Sequence, residues 1–599
     1  MTQIVRKDVP KEQTWDLTTL FKTREDWQQE IEMLKKDVTS VTSFKGKLAS
    51  SATTLYEALD AFEALYERLS KVRTYAFLRT STDGTNEQYQ ADLAITANLI
   101  AKISAQLSFF KPELLTIPED RIKKFIEEEE KLKNYEKVLG DVIEEKPHTL
   151  DPEMEELLAQ LSEVHDAPYM IYERSKQADM QFQPFKDDEG NLLPLSEALY
   201  EDRYEISPNT TIRRNAYESY INTLQQYKHT TASVYATEVT KQLQLAKIRN
   251  YNSVTEMLLH PHQVTVEMYE NQLDIIQSEL APHMRKLAKL KEQKLNLDKI
   301  TYADLKAPLD PNFKPETTFE EAKDMILQAL SVLGTEYMEI MEDAFEKRWI
   351  DYANNTGKQS GAFCASPYGA NSFILLTWTD MMRGTFTLAH ELGHAGHFQL
   401  ANKYQTILNT EVSTYFVEAP STLNELLLAD YLLSKSDDDR MKAFVINNLL
   451  DTYYHNFITH MLEAEFQRRV YTLAEAGTPL TADILTKEKY EAIKNFWGDD
   501  IEVPETAGLI WMRQPHYYMG LYPYTYSAGL TISTAVAQRI KKEGQAAVDD
   551  WLKVLKAGSS LKPIDLAKTA GVDMTNPDTI KTAVAYVGSL VDQLEEIFQ

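Results

Sequence analysis

Cysteine is almost absent from this chain of 599 residues, with Cys364 alone. That excludes an internal disulfide and any zinc site built from several thiolates. Positive charge is in deficit as well: 63 Lys and Arg stand against 91 Asp and Glu, a formal net charge of −28. Nucleic acid and anionic membranes would be repelled, so neither is an expected partner. Apolar runs are short. Ser372-Phe373-Ile374-Leu375-Leu376 is typical of the longest, well below the roughly 20 residues that span a bilayer. The first residues, Met1-Thr2-Gln3-Ile4-Val5-Arg6-Lys7-Asp8, lack the apolar centre of a secretion signal. Together these absences predict a reducing, cytoplasmic setting. No repeat of roughly 20–50 residues is present, and no Gly/Ser-rich or Pro-rich linker divides the chain.

With 43% hydrophobic and 26% charged residues, the composition is that of an ordinary globular protein with a large core. Thr23 is a credible N-cap, with Asp26 three residues on. Two long amphipathic helices are predicted, about 52–80 and 86–113, split by the turn Ser81-Thr82-Asp83-Gly84-Thr85. Leu55, Leu59, Phe62 and Leu65 keep the helical period. Glu127 to Glu130 reads as a solvated helix face, because a cation site needs convergence and a row does not supply it. Residues 180–196 read as a small hairpin, and 208–300 as helices. His260-Pro261-His262 reads as a loop at a helix end. A loop spans Asp310 to Pro315. The predicted division is a helical N-terminal lobe, 1–200, and a helical body, 201–599.

Histidine is scarce, 12 in all, yet two fall in His390-Glu391-Leu392-Gly393-His394. The preceding Thr385-Phe386-Thr387-Leu388-Ala389 suits a buried helix. Residues four apart lie about 40° apart around a helix and one turn along it, so His390 and His394 can face one ion. Glu391, about 100° around from His390, can reach a water on that ion without being a ligand. This HExxH spacing is that of zinc peptidases. A catalytic zinc needs three protein ligands and an open fourth position. The pattern HExxHxxGxxH is ruled out, because His397 and Leu400 occupy the positions where Gly and His would stand. Glu411, Glu418 and Glu425, spaced by seven, are the candidates for a third ligand, and would share one face of a continuous helix.

The context of the middle one is Phe416-Val417-Glu418-Ala419-Pro420-Ser421-Thr422-Leu423-Asn424-Glu425. With HExxH 28 residues before it, this segment resembles the thimet oligopeptidase family, most closely its oligoendopeptidase F branch. Trp15-Asp16-Leu17-Thr18-Thr19-Leu20-Phe21 also resembles the start of that branch. The resemblance implies a mainly α, zincin-type metallopeptidase with a deep cleft, acting on short peptides and excluding folded proteins. It implies one Zn2+ on His390, His394 and Glu418, with Glu391 as general base and Glu425 supporting an imidazole. His397, one turn beyond His394, reads as a hydrogen-bonded neighbour of the site.

Between residues 349 and 384 the helical period breaks. Gly357–Cys364 and Ser372–Trp378 read as two strands joined by Pro367–Asn371. A strand edge beside a zinc helix can pair with an extended peptide, and Gly361 and Ala362 are the expected backbone contacts. Late in the chain, Arg513-Gln514-Pro515-His516 runs into a tyrosine-rich stretch up to Tyr526. Amide hydrolysis needs donors for a developing oxyanion. The resemblance gives that role to a His followed by tyrosines: His516, Tyr522 and Tyr526, with Tyr524 able to replace either tyrosine. Residues 530–599 read as helical, with a turn at Gly558-Ser559-Ser560 and Pro563. Two rival readings are a peptide-binding protein whose zinc is closed by His397 as fourth ligand, and a carboxypeptidase using Arg513 to hold a terminal carboxylate.

Overall fold

The computed structural model describes residues 4–598; residues 1–3, the start of the Met1–Asp8 segment read for a secretion signal, lie outside the described residues. Helices dominate. Two large hydrophobic cores form in sequence order among the described residues, one from Trp27 to Val142 and a larger one from Phe185 to Leu594, and a small third cluster of Trp15, Leu78, Phe373 and Leu375 joins distant parts of the chain. The first is built on α1 (Arg24–Asp37), α2 (Ala52–Thr82) and α3 (Glu87–Leu107). Thr23 and Asp26 cap α1 reciprocally, each side chain bonding the other's backbone N–H.

The predicted helix 86–113 is broken: α3 ends at Leu107 and a short helix, Phe110–Thr116, follows. This region also corrects the expectation drawn from apolar runs. Glu87–Thr116 is long and apolar enough to cross a membrane by length and composition. Counting uninterrupted runs missed it, because alanines alternate with Gln, Asp and Lys. Of α3 itself only Asp92, Thr96, Leu99 and Ile103 are buried.

The hairpin forms with strands of two residues, β1 (Phe185–Lys186) and β2 (Leu192–Leu193). His260–His262 is a 3-10 turn closing a helix. Between the larger core and the small cluster, β3 (Ile350–Asp351), β4 (Phe363–Ala365) and β5 (Phe373–Leu375) form a sheet of order β3-β5-β4. Strand β3 runs parallel to β5 and β4 antiparallel, with Cys364 opposite Ile374. Both predicted strands are longer than the observed ones, and β3 was not predicted. Gly357 and Gly361 hold φ of 80° and 84°, values that break an extended run. Lys358, between them, donates to the carbonyls of Asp351, Ala353 and Leu376. The sheet is tied to the start of the chain. Trp15 packs edge-on to Phe373 at 6.1 Å, and Arg6 pairs with buried Asp351.

Three helices carry most of the chemistry: α4 (Met382–Tyr404), α5 (Glu418–Lys435) and, later, α6 (Tyr522–Glu543). Helix α4 buries Phe386, Leu388, Ala389, Leu392, Ala395 and Leu400, apolar nearly all round, as a core helix must be. It touches α5 at Gly393. A Cβ there would meet Pro420 O at 2.5 Å and Ser421 Cα at 2.6 Å, so only glycine permits the approach. Asn424 Nδ2 donates to Ala389 O across the same seam at 3.2 Å. Gly529 of α6 lies close to Glu418: a Cβ there would sit 3.2 Å from Glu418 Cβ, a tight contact rather than the clash found at Gly393.

Gly393→Ala is expected to cost about 1–3 kcal/mol by overpacking, and to lower metal retention by forcing α4 and α5 apart. Denaturant unfolding and elemental analysis measure both; unchanged values for each would show that the seam can relax.

Candidate active site

On α4, His390 and His394 face the start of α5. Their Nε2 atoms lie 3.3 and 3.4 Å from Glu418 Oε2. Ligands about 2.05 Å from one tetrahedral zinc lie about 3.3 Å from each other, so Glu418 stands from each imidazole as in such a set, and all three ligand atoms lie within 4.8 Å of one another. No other protein ligand completes this group among the described residues. Glu425, two turns along α5, accepts from His390 Nδ1 at 2.7 Å, and Thr452 Oγ1 donates to its other oxygen at 3.3 Å. That bond fixes the tautomer that leaves Nε2 free. Ser421 Oγ holds Glu418 Oε2 at 2.9 Å. With Glu391, three carboxylates face two imidazoles, a donor set with excess negative charge that suits a cation.

Glu391 is 6% exposed. Burial pushes its carboxyl above the ordinary carboxylate range, against the pull of His390 and His394. Glu411 is not on α5 at all. It precedes the helix in an irregular segment and accepts from Tyr66 OH at 2.7 Å, so the expected single face of three glutamates is reduced to Glu418 and Glu425.

His397 corrects a prediction. It is fully buried, neither ring nitrogen has a partner, and it lies against Phe398 and Phe416. Burial, reinforced by His394, lowers its pKa to about 3. At position 397 the α4 side chain packs into the core, and its ring nitrogens do not join the ligand atoms of His390, His394 and Glu418. It is neither a hydrogen-bonded neighbour nor a fourth ligand.

His516 sits in a 3-10 turn, Pro515–Tyr518, and is half-buried. Burial, with His460 beside it, lowers its pKa. Its ring centroid is 4.9 Å from Tyr522 and 5.9 Å from Tyr526. Tyr522 and Tyr526 share one face of α6. Tyr526 is also one turn before Gly529, the point where α6 meets Glu418. Tyr524 points the other way, fully buried, with its hydroxyl on His262 Nδ1 at 2.9 Å. Burial, with Tyr522 next to it, raises the Tyr526 phenol well above its usual range.

Strand β4 is an edge strand, its second side unpaired among the described residues, and it lies against α4. Gly361 is exposed and Ala362 half-buried. Both precede β4 and stand outside its ladder with β5. Arg513 is already engaged: it pairs with Glu201 and, at 3.7 Å, with Glu205, and lies over Tyr200 and Tyr220. Two glutamates neutralise it, so it offers no free cation for a peptide carboxylate.

Next to His516 and Tyr526 opens a cavity of 850 Å³, which also touches Glu201, Lys306, His455, His460, Glu463 and Lys489. His390, Glu391, His394 and Glu418 are not part of its lining. Sequence reasoning missed His460 and Glu463, on α7 (His460–Glu475). The available signal was an i, i+3 His/Glu pair on a helix. Burial opposes ionisation of Glu463, yet His460 holds its pKa near 2.

The fold and this ligand cluster define a helical, zincin-type metallopeptidase. Within that class the chain belongs to peptidase family M3, in its oligoendopeptidase F branch: Peptidase family M3 matches residues 204–586 and the Oligopeptidase F domain residues 113–182. The chain is 35% identical to oligopeptidase PepF of Bacillus subtilis, over 99% of its own length and 88% of the relative's. It is 31% identical to group B oligopeptidase PepB of Streptococcus agalactiae, covering 99% and 98%. The crystal structure of oligoendopeptidase-F from Enterococcus faecium superposes with TM-score 0.73 at 27% identity, covering 96% of this chain and 99% of that one. It is a peptidase, and a metallo-oligopeptidase by family.

Cys364 lies opposite Ile374 in the sheet. Burial, with Glu391 adding to it, pushes its thiol up to about 12. Iodoacetamide at pH ~8 is therefore expected to leave the folded protein unmodified, with alkylation rising only toward pH ~11. Rapid labelling at neutral pH would contradict that environment.

Proposed function

We propose that this protein is a zinc-dependent endopeptidase that hydrolyses internal amide bonds of short oligopeptides. The observation that carries the reading is the convergence of His390 Nε2, His394 Nε2 and Glu418 Oε2 within 3.3 and 3.4 Å, with the Glu391 carboxylate beside them. One zinc ion held by these three side chains would supply Lewis-acid chemistry, polarising a carbonyl oxygen and acidifying water.

Everything else is done by the chain. Glu391, raised in pKa by burial, takes a proton from the attacking water and passes it to the leaving amine. Glu425 holds His390 in one tautomer. His516 and Tyr526 donate hydrogen bonds to the substrate oxygen as its charge grows. The phenol's raised pKa keeps Tyr526 a donor throughout the neutral range, and Tyr522 orients His516 from the other side. The free edge of β4, preceded by Gly361 and Ala362, pairs with the backbone of an extended peptide. With Arg513 neutralised and His397 buried away from the ligands, neither the carboxypeptidase reading nor the closed structural zinc finds support. A division into two lobes and a cytoplasmic setting belong to the same proposal, supported by two large cores and a single cysteine; the cores put the division between Val142 and Phe185, before the expected residue 200.

The test uses peptides blocked at both ends, with products read by mass spectrometry. The wild-type protein is expected to cut them internally and to stop in chelator. Glu391→Gln is expected to keep its metal and lose cleavage by several orders of magnitude. Cleavage by that variant at a near wild-type rate removes Glu391 from the mechanism. Glu418→Ala is expected to release the metal and Glu411→Ala to retain it; the opposite result moves the third ligand.

A further inference from the structure

We propose that His460, Glu463 and His516 form a second divalent-metal site, suited to zinc or a similar borderline ion, and that filling it inhibits the enzyme. The three side chains each present one ligand atom, and all three atoms lie within 4.8 Å of one another. His460 and Glu463 stand at i, i+3 on α7 and so share a face. His516 reaches them from the turn at Pro515–Tyr518. Two imidazoles and a carboxylate make a donor set that leaves a fourth position open. No residue is shared with the group on α4 and α5.

Two of the three side chains are joined by hydrogen bonds, and the third stands outside that relay. His460 Nδ1 lies 2.7 Å from Glu463 Oε2, and His460 Nε2 lies 3.1 Å from His455 Nε2. Gln514 Nε2 donates to Glu463 Oε2. His516 is left out of this chain: its Nδ1 is buried with no partner. Lys489, whose charge reaches Glu463, turns its ammonium to Leu462 O and to the Tyr517 hydroxyl. The cavity of 850 Å³ that His460, Glu463 and His516 line gives an ion a route in and room for water. Binding through His460 Nδ1 would release the proton now shared with Glu463. His455, on the far nitrogen, then accepts from Nε2–H and fixes the ring.

Inhibition follows from geometry. An ion on His516 takes up the imidazole that would otherwise face the substrate. This half of the proposal rests on the role given to His516 above; the site itself does not.

The whole protein, stripped with chelator and dialysed against graded zinc, is analysed for bound metal, with cobalt as an optical probe. Wild type is expected to hold one ion at low zinc and two at high zinc. Glu463→Gln and His460→Asn are expected to lose the second ion, its affinity falling about 100-fold or more, and to escape inhibition by excess zinc. Glu418→Ala is expected to keep the second ion. Thermal melts confirm that each variant folds, and His460→Asn carries the comparison if Glu463→Gln does not. A wild type that saturates at one ion, lost in Glu418→Ala and kept in Glu463→Gln, overturns the second site and leaves the peptidase reading intact. A single ion with the reverse pattern upholds this site and overturns the α4–α5 one. Two ions, with the second one unaffected in both Glu463→Gln and His460→Asn, also overturn the proposal.

Discussion

The close approach of α4 and α5 at Gly393 is the constraint on which the site depends. His390 and His394 come from one helix and Glu418 from another, and side chains from two rigid elements converge only if the backbones are fixed. Gly393 lets Pro420 and Ser421 sit where a methyl group would be, and Asn424 locks the seam with a bond to Ala389 O. Gly529 brings α6 to Glu418 from a third side. Ligand, supporting carboxylate and tyrosine face are thus placed by two glycines whose role is to be small.

Around this seam, electrostatics divides the work. Carboxylates crowd the imidazoles of α4, which makes that corner a place for positive charge. Burial acts differently on Tyr526 and His516, keeping one protonated and the other neutral. A charge-laden cavity opens directly behind them, where Arg513, Glu201 and Glu205 satisfy one another. The same chain therefore holds a polar chamber lined by His516 and Tyr526 and a separate ligand cluster on α4 and α5, with Tyr526 near enough to Glu418 to feel its charge.

How much of this could be read in advance depended on whether chemistry or packing dictated the residue. HExxH was legible because a ligand pair on a helix has a fixed spacing. Glu418 could not be separated from Glu411 and Glu425 by spacing alone, because nothing in the period shows that α5 starts at residue 418. The resemblance made the choice. His397 misled for the reverse reason: its spacing fits the site, but α4 is apolar nearly all round and its far side is core. The sheet was half legible. Its strands are two or three residues long, below the length at which alternation is distinguishable, and β3 follows a helix directly. His460 and Glu463 were passed over because a His/Glu pair gains meaning only when His516 arrives from elsewhere in the chain.

Trp15 against Phe373 and Arg6 against Asp351 have a consequence for how the molecule comes into being. Arg6 and Trp15 have their partners more than 300 residues downstream, so both stay unpaired until the strands have been made. Closing so wide a loop is slow relative to forming neighbouring helices. A chain long enough to bring His390, His394 and Glu418 together has already made all three strands and the residues that anchor them, so every part of the sheet exists before the ligand cluster can close.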